Sequence, residues 1–344
     1  MTVAERESAA VLHAAWDVQI EQREITEPGR GQVLVEIAAV GICGSDVHYF
    51  EHGALGRNVI RSPHILGHEL SGRVVAQGPG VDGHRIGERV TVEPGMACGS
   101  CGECAAGRYN LCTRMRFLGT PPVDGGLRGH LAVPAKLAFP LPHAISDAAG
   151  ALIEPLAVAV WASRRAGTLR NKRVLVTGAG TIGLLVAQVA RASGAGEVRV
   201  VDVNDRRLAR ARQLGISEAC SPGDLASDSG HGADVLFECA GAASALAAGV
   251  EAVRPAGTVV VVGMAPEGSV TLPLEQLQRR ELTVTGSFRY ARCFPEAIEL
   301  AATGRVALEP LITARYRLTE VASALRAGRD DPTQLKGVVM VGGG

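Results

Sequence analysis

The chain carries no net charge, because its thirty-five basic residues are balanced by thirty-five acidic ones. Without an excess of either sign there is no long-range field to gather nucleic acid or hold a membrane surface, so neither is expected as a partner. It also lacks an apolar run long enough to cross a bilayer. The most apolar stretch, residues 148–162, is short and broken by Glu154 and Pro155, which marks a core segment. The start, MTVAERESAA, has no apolar segment behind a basic region, so no secretory leader is expected and the cytoplasm is the predicted location. Lysine is scarce, with only Lys136, Lys172 and Lys336. That preference for arginine reads as the coding bias of a GC-rich genome and says nothing about a substrate. Internal repeats and low-complexity tracts are absent as well.

What is present is an ordinary soluble composition, 47% hydrophobic and 20% charged, over 344 residues, enough for two cores. Up to about residue 150, short β-branched runs such as QVLVEIAAVGI, LSGRVVAQG and GERVTVEPG stand between glycines and prolines. That spacing predicts an antiparallel, barrel-like domain. Beyond it, strand-like and helix-like segments alternate: KRVLVTG, LLVAQVARASG, EVRVVDV, RRLARARQLG, ADVLFECAG and GTVVVVGM. Near-continuous apolar strands alternating with helices predict a parallel sheet covered on both faces. The expected domains are 1–152, 153–287, and a segment 288–344 too small for its own core, which should pack back onto the first domain.

The run VLVTGAGTIGLL sets Gly178, Gly180 and Gly183 as G-x-G-x-x-G between a strand and a helix, with Thr181 and Ile182 opening that helix. The first glycine permits the tight turn and the second lets backbone approach a pyrophosphate. The third allows close helix–strand contact, and the helix N-terminus favours an anion. The following strand ends in Asp202, 19 residues after Gly183, where an acid can bond an adenosine ribose and repel a 2′-phosphate. Arg206 and Arg207 pull the other way, since an arginine there accommodates NADP. With Asp202 present, NAD is the expected cofactor.

Cys98, Cys101, Cys104 and Cys112 follow C-x2-C-x2-C-x7-C. In a reducing compartment four thiolates at this spacing suit a closed, structural zinc shell better than two disulfides. A nucleic-acid-binding zinc ribbon is the other reading of such a cluster, and the neutral balance and the flanking Glu93 and Glu103 weigh against it. A second constellation lies in GICGSDVHYF and ILGHELSG, which carry Cys43 and the adjacent His68 and Glu69. Each is a good zinc ligand, and three protein ligands leave a position open. Taken singly, each also has an ordinary reading: a small buried thiol, a core histidine, a solvated acid.

Taken together, GICGSDVHYF, GHE, the four-cysteine loop, RYNLC, GALIEPLAV, GAGTIG and SFRY resemble, in order, the zinc-dependent medium-chain dehydrogenase/reductase superfamily. The pattern is most similar to its polyol branch, typified by sorbitol and xylitol dehydrogenases, and spans nearly the whole chain. The resemblance implies a GroES-like β-barrel catalytic domain followed by a Rossmann, doubly wound parallel-sheet domain. It implies two zinc ions per chain, one catalytic and one structural. Cys43, His68 and Glu69 match the catalytic-zinc ligands or close neighbours of the metal, and Glu154 matches a carboxylate that ligates zinc or orders its water. Asp46 resembles the acid that orients a zinc-bound histidine. Ser45 and His48 match a proton relay. Tyr49, Phe117, Arg289 and Tyr290 match positions that line the polyol pocket. The implied activity is hydride transfer from a secondary hydroxyl of a sorbitol- or xylitol-like polyol to NAD, giving the ketose, by a homotetramer. A sister dehydrogenase acting on threonine, a vicinal diol, a sugar acid or an aminocyclitol is the alternative. A non-catalytic dinucleotide-binding relative is a further one.

Overall fold

The computed structural model describes residues 5–227, 232–265 and 269–342. The chain divides into two units, Met1–Glu154 with Leu308–Gly344, and Pro155–Ala307.

In the first unit the strand Gln32–Gly41 is the hub. Its run of valines and Ile37 suits a pleated surface, and it pairs antiparallel with Glu69–Gln77, His130–Pro134 and Lys336–Met340. Arg89–Val92 and Ala138–Pro140 extend the sheet on one side, and Ile312–Arg317 extends it on the other, for seven strands in all. Val33, Val35, Ile37 and Val40 are fully buried with Leu70, Val74, Val90 and Val92. Each such side chain contributes about 1.5–3 kcal/mol by leaving water. A three-stranded sheet, Asp17–Glu24, Arg6–Ala14 and His64–Ile65, shares this core. The register of the hub strand sets Gly41 opposite Glu69. The end of one strand therefore lies beside the start of the next, and the turns carrying Cys43 and His68 leave the sheet side by side.

The second unit is built on six parallel strands. Their order is Glu218–Cys220, Glu197–Val201, Arg173–Thr177, Ala233–Glu238, Val253–Val261 and Thr283–Gly286. Counted along the chain, this is the 3-2-1-4-5-6 order of a doubly wound dinucleotide fold. Such an order reverses direction between its first and fourth strands, here Arg173–Thr177 and Ala233–Glu238, and the glycine turn follows the first of them.

The C-terminal segment differs from the sequence expectation. Residues 288–307 belong to the second unit, and only from Leu308 does the chain join the first. The helix Phe294–Ala302 buries Phe294, Ala297 and Leu300. Gln188 of the helix Thr181–Ala192 then accepts from Ala307 N at 2.8 Å and donates to Ala307 O at 3.3 Å, fastening the segment to the second unit. Among the described residues no helix is long and apolar enough to cross a membrane.

Candidate active site

Cys43 stands at the N-terminus of the helix Gly44–His52, and Asp46 in the first turn reaches back to it. Asp46 accepts from Cys43 N at 3.0 Å and from Gly67 N at 3.2 Å, and its Oδ1 lies 3.6 Å from His68 Nδ1. One carboxylate thus fixes the turn bearing Cys43, the turn bearing His68, and the ring itself. Burial alone would raise the Asp46 carboxyl. The His68 charge and the bonds from His68, Cys43 and Gly67 outweigh it and hold the group below its ordinary range. For His68 burial acts downwards, but the Asp46 charge, then Cys43, push the imidazole well above its usual value. The ring packs against Phe117, centroids 5.4 Å apart.

Glu69 begins its strand almost wholly buried, at 1% exposure. Both its oxygens accept from Lys336 Nζ at 2.8 Å. A Cβ on Gly41 would stand 2.2 Å from Glu69 Oε2, so the carboxylate occupies space that any side chain there would fill. Burial alone would lower the Lys336 ammonium, yet the charge of Glu69, followed by those of Cys43 and others including Glu154, raises it. One ligand atom each from Cys43, His68 and Glu69 lie within 4.8 Å of one another. A thiolate, an imidazole and a carboxylate in this arrangement fit a zinc ion held by three protein ligands. Glu154 is buried at the start of the helix Ile153–Ala166, outside that group of three.

The four loop cysteines form a second group within the same 4.8 Å limit. Sulfur separations of 3.5 Å (Cys101–Cys104), 3.8 Å (Cys101–Cys112) and 3.9 Å (Cys98–Cys104) are far beyond a disulfide bond. They match the edge of a tetrahedron with a metal–sulfur distance of about 2.3 Å, so the donor set fits a closed zinc shell. The backbone of Ser100 draws the Cys98 thiol down to about 5, and burial pushes Cys104 up to about 12. Arg114 donates to Cys98 Sγ at 3.4 Å and to Ser100 Oγ at 2.7 Å, setting a cation against the sulfurs.

In the second unit, Gly178 has φ +93° with the backbone of Ala240 against it, and a Cβ on Gly183 would stand 1.8 Å from Gly178 O. Gly180 caps the helix Thr181–Ala192, with nothing within 4 Å of the Cβ it lacks. Asp202 accepts from Ala179 N at 2.6 Å and Asn204 N at 2.8 Å, so the acid is tied to the glycine turn, and Arg207 Nη1 lies 3.9 Å from it. Thr181 and Ile182 are half-buried in the first turn of the helix.

Ser45 and His48 are half-buried, three residues apart on one face of the helix Gly44–His52. Tyr49, on the same helix, packs its ring into the hydrophobic core. Arg289, at φ +50°, sets its guanidinium 4.9 Å from the Phe288 ring, and Tyr290 is buried against Phe294. Lys336 is marked in the sequence only by the scarcity of lysine. Glu238, which no motif marks, accepts from Ala240 N and Gly241 N and shapes the loop facing Gly178.

The family described as alcohol dehydrogenase GroES-like domain matches residues 29–143, and that described as zinc-binding dehydrogenase matches residues 181–303. Sorbitol dehydrogenase of Gallus gallus is 39% identical over 325 residues, covering 92% of this chain and 91% of that one. A probable D-xylulose reductase A of Aspergillus clavatus is 39% identical, covering 95% of this chain and 96% of its own. The solved L-idonate 5-dehydrogenase of Escherichia coli superposes with a TM-score of 0.91 at 32% identity, over 98% of this chain and 99% of that one. Two metal-fitting side-chain groups in one unit, a dinucleotide turn in the other and full-length likeness to these enzymes lead to one assignment: the chain belongs to the zinc-dependent medium-chain dehydrogenase/reductase superfamily, in its polyol dehydrogenase branch.

Proposed function

We propose that the protein oxidises a secondary hydroxyl of a sugar alcohol of the sorbitol or xylitol kind to the ketose, with NAD as hydride acceptor. The observation that carries this reading is the convergence of Cys43, His68 and Glu69 around one point, supported by Asp46. When bound, zinc supplies a Lewis acid at the substrate oxygen, and NAD supplies the hydride chemistry. Cys43, His68 and Glu69 would hold the metal, Asp46 orients the His68 ring, and Glu154 would ligate the metal or order its water. Ser45 Oγ takes up the proton of the substrate hydroxyl as it gives up its own, and His48 delivers a proton to solvent. Phe117 gives the substrate an apolar wall beside His68. In the second unit Gly178, Gly180, Thr181, Ile182 and Gly183 receive the pyrophosphate. Asp202 bonds the ribose and disfavours a 2′-phosphate, with Arg207 beside it. Cys98, Cys101, Cys104 and Cys112 hold the structural zinc.

For assembly and location the reading follows the branch, a homotetramer in the cytoplasm. A second reading, oxidation of a sugar acid, draws on the likeness to L-idonate 5-dehydrogenase.

The test is NADH formation by the zinc-loaded protein on sorbitol, xylitol, ribitol, galactitol, L-idonate, threonine and 2,3-butanediol. The highest kcat/KM is expected on a sugar alcohol. Preference for L-idonate would transfer the assignment to the second reading, and preference for threonine or the small diol would overturn both.

A further inference from the structure

Lys336 is one of three lysines in the chain and lies 4% exposed. It opens the strand Lys336–Met340, which pairs with the strand leading to Cys43. Its Nζ donates at 2.8 Å to both oxygens of Glu69 and also to Ile42 O, the carbonyl next to Cys43. An ammonium has three hydrogens, and these contacts use them. One side chain therefore ties together the turns that carry Cys43 and His68.

Two further features make this more than a buried ion pair. The slot left by the missing Cβ of Gly41 seats the Glu69 carboxylate against the ammonium. Yet a Glu69 oxygen also lies within 4.8 Å of the ligand atoms of Cys43 and His68. The same carboxylate faces an ammonium and a metal position, and charge drawn to one is withheld from the other. We infer that Lys336 is a positioning residue that restrains Glu69, keeping it an exchangeable ligand so that its position at the metal can be yielded to substrate. The inference rests on the metal-centre reading of Cys43, His68 and Glu69. A lysine with only a structural role would make the opposite prediction on metal retention. Its loss would loosen the metal, whereas loss of a restraint lets Glu69 close on it.

The experiment uses full-length protein loaded with cobalt in place of zinc. It reads visible absorption, metal release into dipicolinate, and NADH formation, for wild type, K336Q, E69Q and E69Q/K336Q. For K336Q we expect shifted cobalt bands, release about tenfold slower, and turnover about tenfold lower. We expect E69Q to alter the bands, and E69Q/K336Q to share the spectrum of E69Q because Lys336 acts through Glu69. Unchanged or faster release in K336Q would overturn the inference. So would a double variant whose spectrum differs from that of E69Q. If K336Q does not fold, E69Q decides alone: a wild-type cobalt spectrum there removes Glu69 from the metal and the restraint with it. Wild-type protein that takes cobalt only at the four cysteines would instead overturn the metal-centre reading itself, and the inference with it.

Discussion

Gly180 and Gly183 look alike in the sequence, but the structure gives them different burdens, and alanine at each should separate fold from cofactor. A Cβ on Gly183 would lie 1.8 Å from Gly178 O, 3.0 Å from Gly178 C and 3.4 Å from Val176 Cγ1. The first of these contacts is with backbone, so relief requires the helix Thr181–Ala192 to move away from its strand. Overpacking of this kind costs about 1–3 kcal/mol. At Gly180 the backbone is extended, φ −72° and ψ −179°, and nothing lies within 4 Å of the added carbon. G180A should therefore cost at most about 1 kcal/mol, from the poorer helix cap. The methyl would nevertheless stand at the helix N-terminus, where a pyrophosphate would be received. We expect G183A to lower the urea midpoint of the cofactor-free protein clearly. G180A should leave the midpoint nearly unchanged and weaken NADH binding about tenfold or more in a fluorescence titration. Wild-type NADH affinity in G180A would refute the placement of the dinucleotide over this turn. A wild-type urea midpoint in G183A would refute the close packing that the geometry demands.

Cys101→Ser breaks one vertex of the sulfur tetrahedron, so metal content should fall by one equivalent and the thermal midpoint should drop, measured by atomic absorption and calorimetry. Asp202→Ala should raise the ratio of kcat/KM for NADP over NAD about tenfold or more. It also strips the partners of Ala179 N and Asn204 N, at a stability cost of about 1–3 kcal/mol. Asp234 accepts from Arg173 N at 2.8 Å and from Arg254 Nε at 2.5 Å. Burial would raise this carboxyl, but the bonds from Arg173 and Arg254 outweigh it and hold the group below its ordinary value. A carboxyl depressed on folding stabilises the protein above its unfolded pKa, near 3.8, and that stability is lost as pH falls through the folded value. Thermal midpoints measured from about pH 5 to about pH 3 should therefore fall less steeply in D234N than in wild type.

How far each feature can be read from sequence depends on the distance over which it is encoded. The glycine turn is closed within six residues and the sulfur cluster within fifteen, so spacing alone carries their geometry. The doubly wound sheet is nearly as local, since each strand runs into its helix and the alternation of patterns shows it. Cys43 and His68 are another matter. Their approach depends on Gly41 pairing with Glu69, a register between two strands that no short window displays. Only the likeness to a known family brings them together at the level of sequence. Lys336 reaches Glu69 across 267 positions of sequence, through a strand that returns to the first unit after the whole dinucleotide domain has been made. Periodicity does not mark such a contact, and the scarcity of lysine does not say what Lys336 touches. The difference at the C-terminal boundary has the same origin. Phe294, Ala297 and Leu300 announce a helix with one apolar face, but only Gln188, holding both backbone groups of Ala307, determines which core that face joins. Tyr49 carries the same lesson: it lies one turn on from the half-buried Ser45, on the same side of the helix, yet its ring packs into the core. Chemistry that sits inside one turn is written in the residue order, whereas chemistry assembled across strands is written in the register, and the centre around Cys43, His68, Glu69 and Lys336 is of the second kind.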